Sequence, residues 1–487
     1  MKMKFIFLLV VCLIVLSQLP ISAQADRGNS KAIPLRGVVE GFYGVPWTHE
    51  QRLDMLKFMS SKDLNAYIYA PKDDEYHRKY WRQPYPEDKY KELQELTKKA
   101  KKLNIDIIFA VSPGNDIAFS GQDMYEDRYA MINKLQAMYD IGIRHFALFF
   151  DDIPTKDAHG QAEFVNWVND NFVKARPDCK QLILVPTEYY LRDMVKTGYV
   201  SDYTRILADE LEKDILVLYT GEEVCPDGLT ENTIHQTNKI YRKPMGIWWN
   251  YPVTDYQKEK LALGPLDKMD KAMDSKEVPA FFMNPMEKAE LSKIAIATGA
   301  DFAKNPGKYN ESKSWNMALK EQFGDLYEPM RIFASHSQRL ENNWAHIGRP
   351  DAINLQVLYK NLWGTVTGRD TIPKRKTMDA LKKDNRKRER ALKELHDELP
   401  RKYLNECKLN LEQLQTLTEA EKYALMILDK KPSELKQPEL YKKFKEAKAR
   451  YTQYVAYARI SDEAIWRFVK DFDAWYVTSV GVDSSAD

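Results

Sequence analysis

His145-Phe146-Ala147-Leu148-Phe149-Phe150-Asp151-Asp152 is an apolar run that stops abruptly at two adjacent carboxylates. A run this short and this rich in aromatic residues is typical of a strand buried on both faces, as in a parallel sheet covered by helices. Neighbouring side chains of a strand point to opposite faces, so Asp151 and Asp152 can share one pocket only if the backbone turns where the strand ends. The local sequence leaves a simpler interpretation open, in which the pair only caps the next helix.

This stretch is one of about eight apolar segments that alternate with amphipathic helical patterns between residues 35 and 303. Eight strand-helix units are the number that closes a (β/α)8 barrel, and catalytic groups of such barrels collect at the carboxyl ends of the strands. We therefore predict an α/β fold with a TIM-like barrel over residues 35–303. The predicted strands are Leu35–Phe42, Asn65–Ala70, Ile105–Pro113, His145–Asp152, Gln181–Tyr189, Asp214–Gly221, Met245–Pro252 and Val278–Pro285.

Residues 304–480 lack strand patterns and are predicted to form an all-α helical bundle domain. Apolar residues spaced three and four apart mark its core, for example Cys407, Leu411 and Leu414. The basic run from Lys374 to Arg390 is predicted to be a solvated helix face rather than a polyanion site, because acidic residues follow it directly. Residues 481–487 are small and polar, and are predicted to form a flexible tail.

The first 25 residues have the charged, apolar and small-residue regions of a secretory signal peptide, with cleavage expected after Ala25. Their apolar core is shorter than the ~20 residues that a membrane-spanning helix needs. We therefore expect a secreted or periplasmic protein without a membrane association after cleavage. Residues 26–34 form a short segment before the first strand.

The composition argues against several classes of function. The chain has 487 residues, more than one core holds, and 73 Lys and Arg residues against 71 Asp and Glu residues leave a net charge of only +2. Nothing in this balance predicts a nucleic-acid partner, and the sequence carries no signal about oligomeric state. Cys179, Cys225 and Cys407 would remain in an exported chain, so at least one thiol lies outside any intramolecular disulfide. The first two are expected at opposite ends of the barrel, which precludes a bridge.

The predicted strand ends are crowded with Gly, Pro, aromatic and polar residues. Taken singly, each such end reads as an ordinary turn, but the carboxyl ends of successive barrel strands line one cup. Aromatic walls with a few fixed polar groups suit a sugar, which has apolar faces and hydroxyl edges. The ends include Glu40-Gly41-Phe42-Tyr43-Gly44, Tyr69-Ala70-Pro71-Lys72-Asp73-Asp74, Ser112-Pro113-Gly114, Pro186-Thr187-Glu188-Tyr189 and Trp248-Trp249-Asn250-Tyr251-Pro252.

These motifs, in this order and together with Phe150-Asp151-Asp152, resemble glycoside hydrolase family 84, the O-GlcNAcase and hyaluronidase-like β-N-acetylglucosaminidases. The resemblance covers roughly residues 35–303, and the helical region is similar to the family's post-catalytic bundle. It implies a secreted bacterial enzyme that acts on a glycan or glycoprotein with a terminal β-linked GlcNAc. Several bacterial members carry a small α/β domain before the barrel, for which the segment after the predicted cleavage site is too short.

The resemblance also implies a mechanism and a set of site residues. The family retains anomeric configuration through an oxazoline that the substrate's own 2-acetamido group forms, without metal or cofactor. Asp151 would orient the acetamido nitrogen, and Asp152 would be the general acid and then the general base. Substrate binding would fall to Gly41 through its backbone, Lys72, Tyr189, Trp248, Asn250, Asp255 and Asn284. Asp255 is also compatible with an ordinary helix start at Thr254-Asp255.

Three other functions remain open at the level of sequence. A metal-dependent hydrolase is poorly supported, since the first strand has no His-x-His pair and no Cys and His spacing resembles a zinc site. A sugar-binding protein without turnover would be expected to lose the Asp pair, which is present. A glycosidase with a carboxylate nucleophile is the principal alternative, with Glu40 or Glu188 as the candidate, although both are interpreted as buried supporting residues.

Overall fold

The computed structural model of the protein describes residues 32–273, 276–368 and 374–480. The predicted signal peptide, most of the short segment after it and the predicted tail at 481–487 lie outside these residues. Within the described part, no helix combines the length and the apolar character that crossing a membrane requires.

Eight parallel strands close into a barrel, which confirms the predicted fold. Every predicted strand is present, and each is shorter than predicted at its carboxyl end, because the Gly, Pro and polar residues there leave the hydrogen-bonded ladder to form loops. The barrel strands are β1 (Leu35–Glu40), β2 (Ala66–Tyr69), β3 (Asp106–Val111), β4 (His145–Phe149), β5 (Ile183–Val185), β8 (Leu216–Tyr219), β9 (Gly246–Trp249) and β10 (Ala280–Met283); a small hairpin, β6 (Val195–Lys196) and β7 (Tyr199–Val200), follows β5.

Helices follow most of the strands and cover the outside of the barrel. The first begins at a capping box, in which Thr48 Oγ1 accepts from the Gln51 N–H at 3.2 Å while Gln51 Oε1 accepts from the Thr48 N–H at 2.8 Å. The barrel helices are α1 (His49–Ser61), α2 (Glu87–Lys102), α3 (Gly121–Asp140), α4 (Ala158–Val168), α5 (Leu191–Met194), α6 (Asp202–Glu210), α7 (Glu231–Tyr241) and α8 (Ala289–Lys304).

Alternate side chains of the strands fill the barrel interior, among them Ile68, Ala110 and Phe149. The intervening side chains face the helices and join a core that continues into the carboxyl-terminal region. The interior is therefore packed, and the only room that the strands leave for a ligand is at an end of the barrel.

The carboxyl-terminal region is helical, as predicted, and Cys407, Leu411 and Leu414 are buried in it. One detail differs from the all-α prediction: the region contains a hairpin of two-residue strands, β11 (Leu340–Glu341) and β12 (His346–Ile347). Strands of two residues are too short to show an alternating pattern in the sequence. The helices are α9 (Glu311–Phe323), α10 (Tyr327–Ser335), α11 (Ile353–Val366), α12 (Lys374–Glu398), α13 (Arg401–Leu428), α14 (Pro438–Tyr454) and α15 (Arg467–Val480).

The basic run predicted as a solvated face departs from that prediction at Arg388. Its side chain is buried and pairs with the buried Glu421, and its Nε donates to Thr418 Oγ1 at 2.9 Å. A charge buried in a helix bundle needs such a partner, and the partner lies on α13, a different helix. The sequence of the basic run therefore does not indicate the buried ion pair between Arg388 and Glu421.

Candidate active site

The chain turns sharply directly after β4, and the turn places both carboxylates in one cavity. Asp151 is 6% exposed, whereas Asp152 is exposed and adopts a left-handed conformation with φ 56°. Such a φ is uncommon for a residue other than glycine and redirects the side chain relative to a regular strand. This turn is the condition under which two adjacent aspartates can serve one pocket.

Asp151 is held through one of its two oxygens. Its Oδ2 accepts from Lys72 Nζ at 2.5 Å, and both side chains are almost fully buried. The ammonium of Lys72 also lies 5.9 Å from the ring centres of Tyr43, Phe149 and Trp248. Asp151 Oδ1 is buried and has no hydrogen-bond partner within the described chain. Asp151 therefore has one oxygen left to accept a hydrogen bond from a ligand.

Asp152 is held by two tyrosine hydroxyls. Tyr43 donates to its Oδ2 at 2.9 Å and Tyr189 donates to its Oδ1 at 2.8 Å. Burial, followed by the charge of Asp152, raises the pKa of both tyrosines well above the usual value, so both hydroxyls keep their protons at neutral pH. The two clamps orient the carboxyl group while leaving it accessible from the cavity.

A chain of hydrogen bonds fixes the polar groups on the other side of the cavity. Trp248 Nε1 and Asn284 Nδ2 both donate to Asn250 Oδ1, at 2.8 and 3.0 Å, and Asn250 Nδ2 donates to the Val224 carbonyl at 2.9 Å. The N–H of Gly41 donates to Asn284 Oδ1 at 3.3 Å. A Cβ on Gly41 would lie 2.4 Å from the Trp248 ring, so a larger residue there would displace the wall of the cavity.

Asp255 lies in a turn rather than at a helix start, so the helix-start interpretation is wrong. Its Oδ2 accepts from the Tyr43 N–H at 2.8 Å, a contact with the loop after β1 that holds Asp255 at the cavity. Burial raises the pKa of its carboxyl group above the usual value. The turn thus joins Asp255 to the same tyrosine that clamps Asp152.

All nine residues singled out from the sequence line one cavity of about 360 Å³ at the carboxyl end of the barrel. They are Gly41, Lys72, Asp151, Asp152, Tyr189, Trp248, Asn250, Asp255 and Asn284. This is a compartment of the size that small-molecule sites use, with an aromatic wall and convergent polar groups.

Other residues that line the cavity had no role predicted from the sequence. Tyr43 belongs to the motif Glu40-Gly41-Phe42-Tyr43-Gly44, which was a sufficient signal to predict it as a site residue. Cys225, Val253 and Tyr256 also line the cavity, but no distinctive pattern marks them in the sequence. Trp344 comes from the β11–β12 hairpin beyond the barrel, and its ring lies 4.8 Å from that of Tyr256 at the cavity. No local signal marks Trp344, because its position depends on how the hairpin packs on the barrel.

The two glutamates considered as nucleophiles are engaged elsewhere. Glu40 is fully buried, accepts from Arg52 Nε and Nη2 at 2.8 Å each, and is bound by the Tyr67 hydroxyl. Glu188 accepts from Lys156 Nζ at 2.9 Å and from Thr204 Oγ1 at 2.6 Å. Neither lines the cavity. Both carboxylates support the loops that shape the site.

The described residues contain no group of three or more His, Cys, Asp or Glu side chains arranged to hold a metal ion. Cys225 and Cys407 are buried free thiols, and Cys179 is a half-buried one. The polar side chains that line the cavity include three aspartates, a lysine, two asparagine amides and three tyrosines.

Two protein families match the chain. The model of the family described as beta-N-acetylglucosaminidase matches residues 36–335, and that described as hyaluronidase post-catalytic domain-like matches residues 354–469. The Protein O-GlcNAcase of Rattus norvegicus is 33% identical over 304 residues, which are 59% of this chain and 32% of that protein. The corresponding Mus musculus protein is 33% identical over 285 residues, 56% of this chain and 30% of the relative. The chain thus spans about a third of the length of these relatives.

Solved structures share the architecture. CpGH84B superposes with a TM-score of 0.85 and 35% identity, over 91% of this chain and 78% of the other. A mutant of the Thermobaculum terrenum O-GlcNAc hydrolase superposes with a TM-score of 0.78 and 26% identity, over 93% of this chain and 98% of the other. The likeness therefore extends from the barrel through the helical region.

Proposed function

Because the chain belongs to the β-N-acetylglucosaminidases of glycoside hydrolase family 84, we propose that it is a retaining exo-β-N-acetylglucosaminidase that uses the substrate's acetamido group as the nucleophile. The observation that carries this proposal is the different bonding of the two cavity aspartates. Asp151 is buried with one oxygen unpaired, and Asp152 is accessible between two tyrosine hydroxyls. A group that holds an amide N–H and a group that exchanges a proton with an oxygen need these two environments.

In the first step Asp151 Oδ1 accepts a hydrogen bond from the acetamido N–H, which increases electron density on the acetamido oxygen. That oxygen attacks the anomeric carbon as the glycosidic bond breaks, and Asp152 transfers its proton to the leaving oxygen. The products are the free aglycone alcohol and an oxazoline, whose acetamido proton passes to Asp151 Oδ1 and returns to the nitrogen when the ring opens. In the second step Asp152 takes a proton from water, the water oxygen attacks the anomeric carbon, and the oxazoline opens to GlcNAc with retained configuration.

The remaining cavity residues bind and orient the sugar. Trp248 provides an aromatic wall for the acetamido methyl group, and Asn284 and Asp255 present side-chain groups to the sugar hydroxyls. Lys72 keeps the Asp151 carboxylate in place by a buried ion pair. Tyr189 lies beside Asp152 and therefore close to the bond that breaks. Such positioning supplies much of the rate enhancement, because an intramolecular nucleophile held in line contributes roughly 7 to 11 kcal/mol.

The size of the cavity supports exo action on a single terminal sugar of a glycan or glycoprotein. The names of the relatives, Protein O-GlcNAcase and O-GlcNAc hydrolase, support O-linked GlcNAc as the sugar that is removed. The secretion signal predicted from the sequence favours a substrate outside the cytoplasm.

The experiment that tests the mechanism changes the substrate. Aryl β-N-acetylglucosaminides with one, two and three fluorines on the acetamido methyl should be turned over progressively and steeply more slowly, because fluorine withdraws electron density from the attacking oxygen. A carboxylate nucleophile predicts a much flatter series and covalent trapping of Glu40 or Glu188 by a 2-fluoro sugar. Observation of that flat series with trapping would replace this mechanism by the two-carboxylate one.

A further inference from the structure

A second cavity lies in the helical region and shares no lining residue with the catalytic cavity. Its volume is about 420 Å³, and its walls come from α9, α10, the start of α11, α12 and the segment that connects α10 to α11. We refer to it as the helical cavity. Nothing in the proposed hydrolysis uses it.

Three cationic side chains line the helical cavity, and their acidic partners are shared or distant. Arg349 Nη1 donates to Ser312 Oγ at 3.3 Å, while the carboxylate of Asp267 stays 3.6 Å from its Nη2, beyond normal hydrogen-bond length. Arg331 and Lys387 share one carboxylate, that of Glu328, at 3.0 and 3.5 Å. Guanidinium and ammonium donors that exceed the local acceptors favour an anionic ligand.

The helical cavity also presents acceptors that a simple anion could not satisfy. Gln338 is 4% exposed, and its Nε2 donates to the Ser335 carbonyl at 3.0 Å. Its Oε1 is buried and has no hydrogen-bond partner among the residues that the structure describes. An unpaired buried amide oxygen is unfavourable, so a ligand that supplies a donor would be stabilised here. Asp384, paired with Arg388 at 2.5 Å, adds a second acceptor to the lining.

Apolar side chains complete the lining. Trp315, Ile332 and Leu355 contribute a hydrophobic wall, and Trp315 is fixed because its Nε1 donates to the Leu263 carbonyl at 2.7 Å. A ligand that carries an anionic group, hydroxyl donors and an apolar face matches all three parts of the cavity. We propose that the helical cavity is a second binding site, for a sugar that carries a carboxylate or a phosphate group.

Isothermal titration of the full chain with glucuronic acid and with glucose 6-phosphate tests this site. At least one of them should bind saturably, and the comparison of the two shows which anionic group is preferred. Glucose should not bind, and inorganic phosphate and glutamate should bind at least about tenfold more weakly, since each lacks one part of the match. No binding of either acidic sugar, or binding of phosphate or glutamate as tight as that of the sugars, would overturn the proposal.

Variants locate the binding in this cavity. Arg349→Ala should weaken the acidic sugar about tenfold, the loss expected for one charged hydrogen-bonding partner. Lys387→Ala, an exposed change that removes a cation without touching the core, should weaken it severalfold. Lys393→Ala, an exposed lysine on the same helix outside the lining, is the matched control and should bind normally. Affinity that is the same in Arg349→Ala, Lys387→Ala and the control would place the ligand elsewhere and contradict the proposal.

Discussion

At the scale of single residues, the catalytic proposal depends on how two chemically identical neighbours acquire different surroundings. The left-handed conformation of Asp152, at φ 56°, costs roughly 1 to 2 kcal/mol for a residue with a Cβ. The hydroxyls of Tyr43 and Tyr189 bind its carboxyl group and hold the turn in place. Asp151 stays at the end of the buried strand and keeps its ion pair with Lys72.

Asp152→Ala removes the proposed general acid. General acid catalysis contributes roughly 10² to 10⁴ in rate, and only when the leaving group needs a proton. Hydrolysis of alkyl or seryl glycosides should therefore fall by that factor, while the glycosylation step for aryl glycosides with very acidic phenols should be nearly spared. Steady-state and single-turnover rates across a series of leaving groups measure the difference. Equal losses for all leaving groups would contradict the role.

Asp151→Asn tests the other half of the pair. The oxazoline must form whichever leaving group the substrate carries. Turnover should therefore fall for good and poor leaving groups alike. The interpretation that the pair only caps the next helix is wrong, because Asp157 caps that helix by accepting from the Gly160 N–H at 2.8 Å. A purely structural role in the ion pair with Lys72 predicts instead a lower free energy of unfolding, with the kinetics of the folded enzyme unchanged. Thermal unfolding and kinetics measured on one preparation distinguish these results.

At the scale of elements, one contact across the two regions determines how the last barrel helix begins. Glu406, on α13, accepts from the N–H groups of Glu290 and Leu291 at the start of α8, at 3.0 and 2.8 Å. These N–H groups have no partner within their own helix, and a carboxylate there also interacts favourably with the helix dipole. A residue more than 100 positions away thus acts as the cap of α8.

Glu406→Ala should lower the free energy of unfolding by about 1 to 2 kcal/mol, because it leaves two helix-terminal donors unpaired. Glu406→Gln keeps an acceptor oxygen and should lose less. The matched control is Glu412→Ala, an exposed glutamate on the same helix, with an expected change within about 0.5 kcal/mol. Urea unfolding of the three variants checks the order, and equal stability of the Ala and Gln variants at position 406 would argue against a capping role.

At the scale of the whole molecule, the barrel and the helical region share one continuous apolar core. Polar contacts also join them, such as the ion pair of 2.9 Å between Lys260 and Asp462. Asp351 lies at this junction, fully buried, and its Oδ1 accepts from the N–H groups of Gln338 and Arg339 at 2.7 and 3.1 Å. These residues directly precede β11 of the hairpin that brings Trp344 to the catalytic cavity.

Burial raises the pKa of Asp351 to about 7, against about 3.9 in an unfolded chain. The folded protein therefore binds this proton more tightly than the unfolded chain does. The stability that Asp351 contributes is complete below about pH 4 and is lost as the pH rises to about 7. Asp351→Asn removes this dependence on pH. The free energy of unfolding of the variant, measured relative to that of the wild type, should therefore rise by about 3 to 4 kcal/mol from pH 4 to pH 8. Parallel pH curves in urea unfolding would contradict the prediction.

Local sequence patterns were sufficient to predict the barrel and the residues that line most of the catalytic cavity. Parallel strands separated by helices put all their carboxyl ends at one end of a barrel, so the polar and aromatic motifs after β1, β2, β4, β5, β9 and β10 had to meet. The resemblance then assigned roles to them. Each of these inferences rests on residues close together along the chain, where periodicity and turn chemistry are informative.

Contacts between residues that are far apart along the chain could be identified only in the folded structure. The Tyr43 hydroxyl reaches Asp152 across 109 positions, Trp344 arrives from beyond the barrel, and Glu406 caps a helix 116 positions earlier. The hydrogen bond from Arg52 to the buried Glu40 and the buried ion pair between Arg388 and Glu421 also join side chains of different elements. A side chain's partner across such a separation follows from packing of the complete fold, and no local pattern of hydrophobicity or charge encodes it.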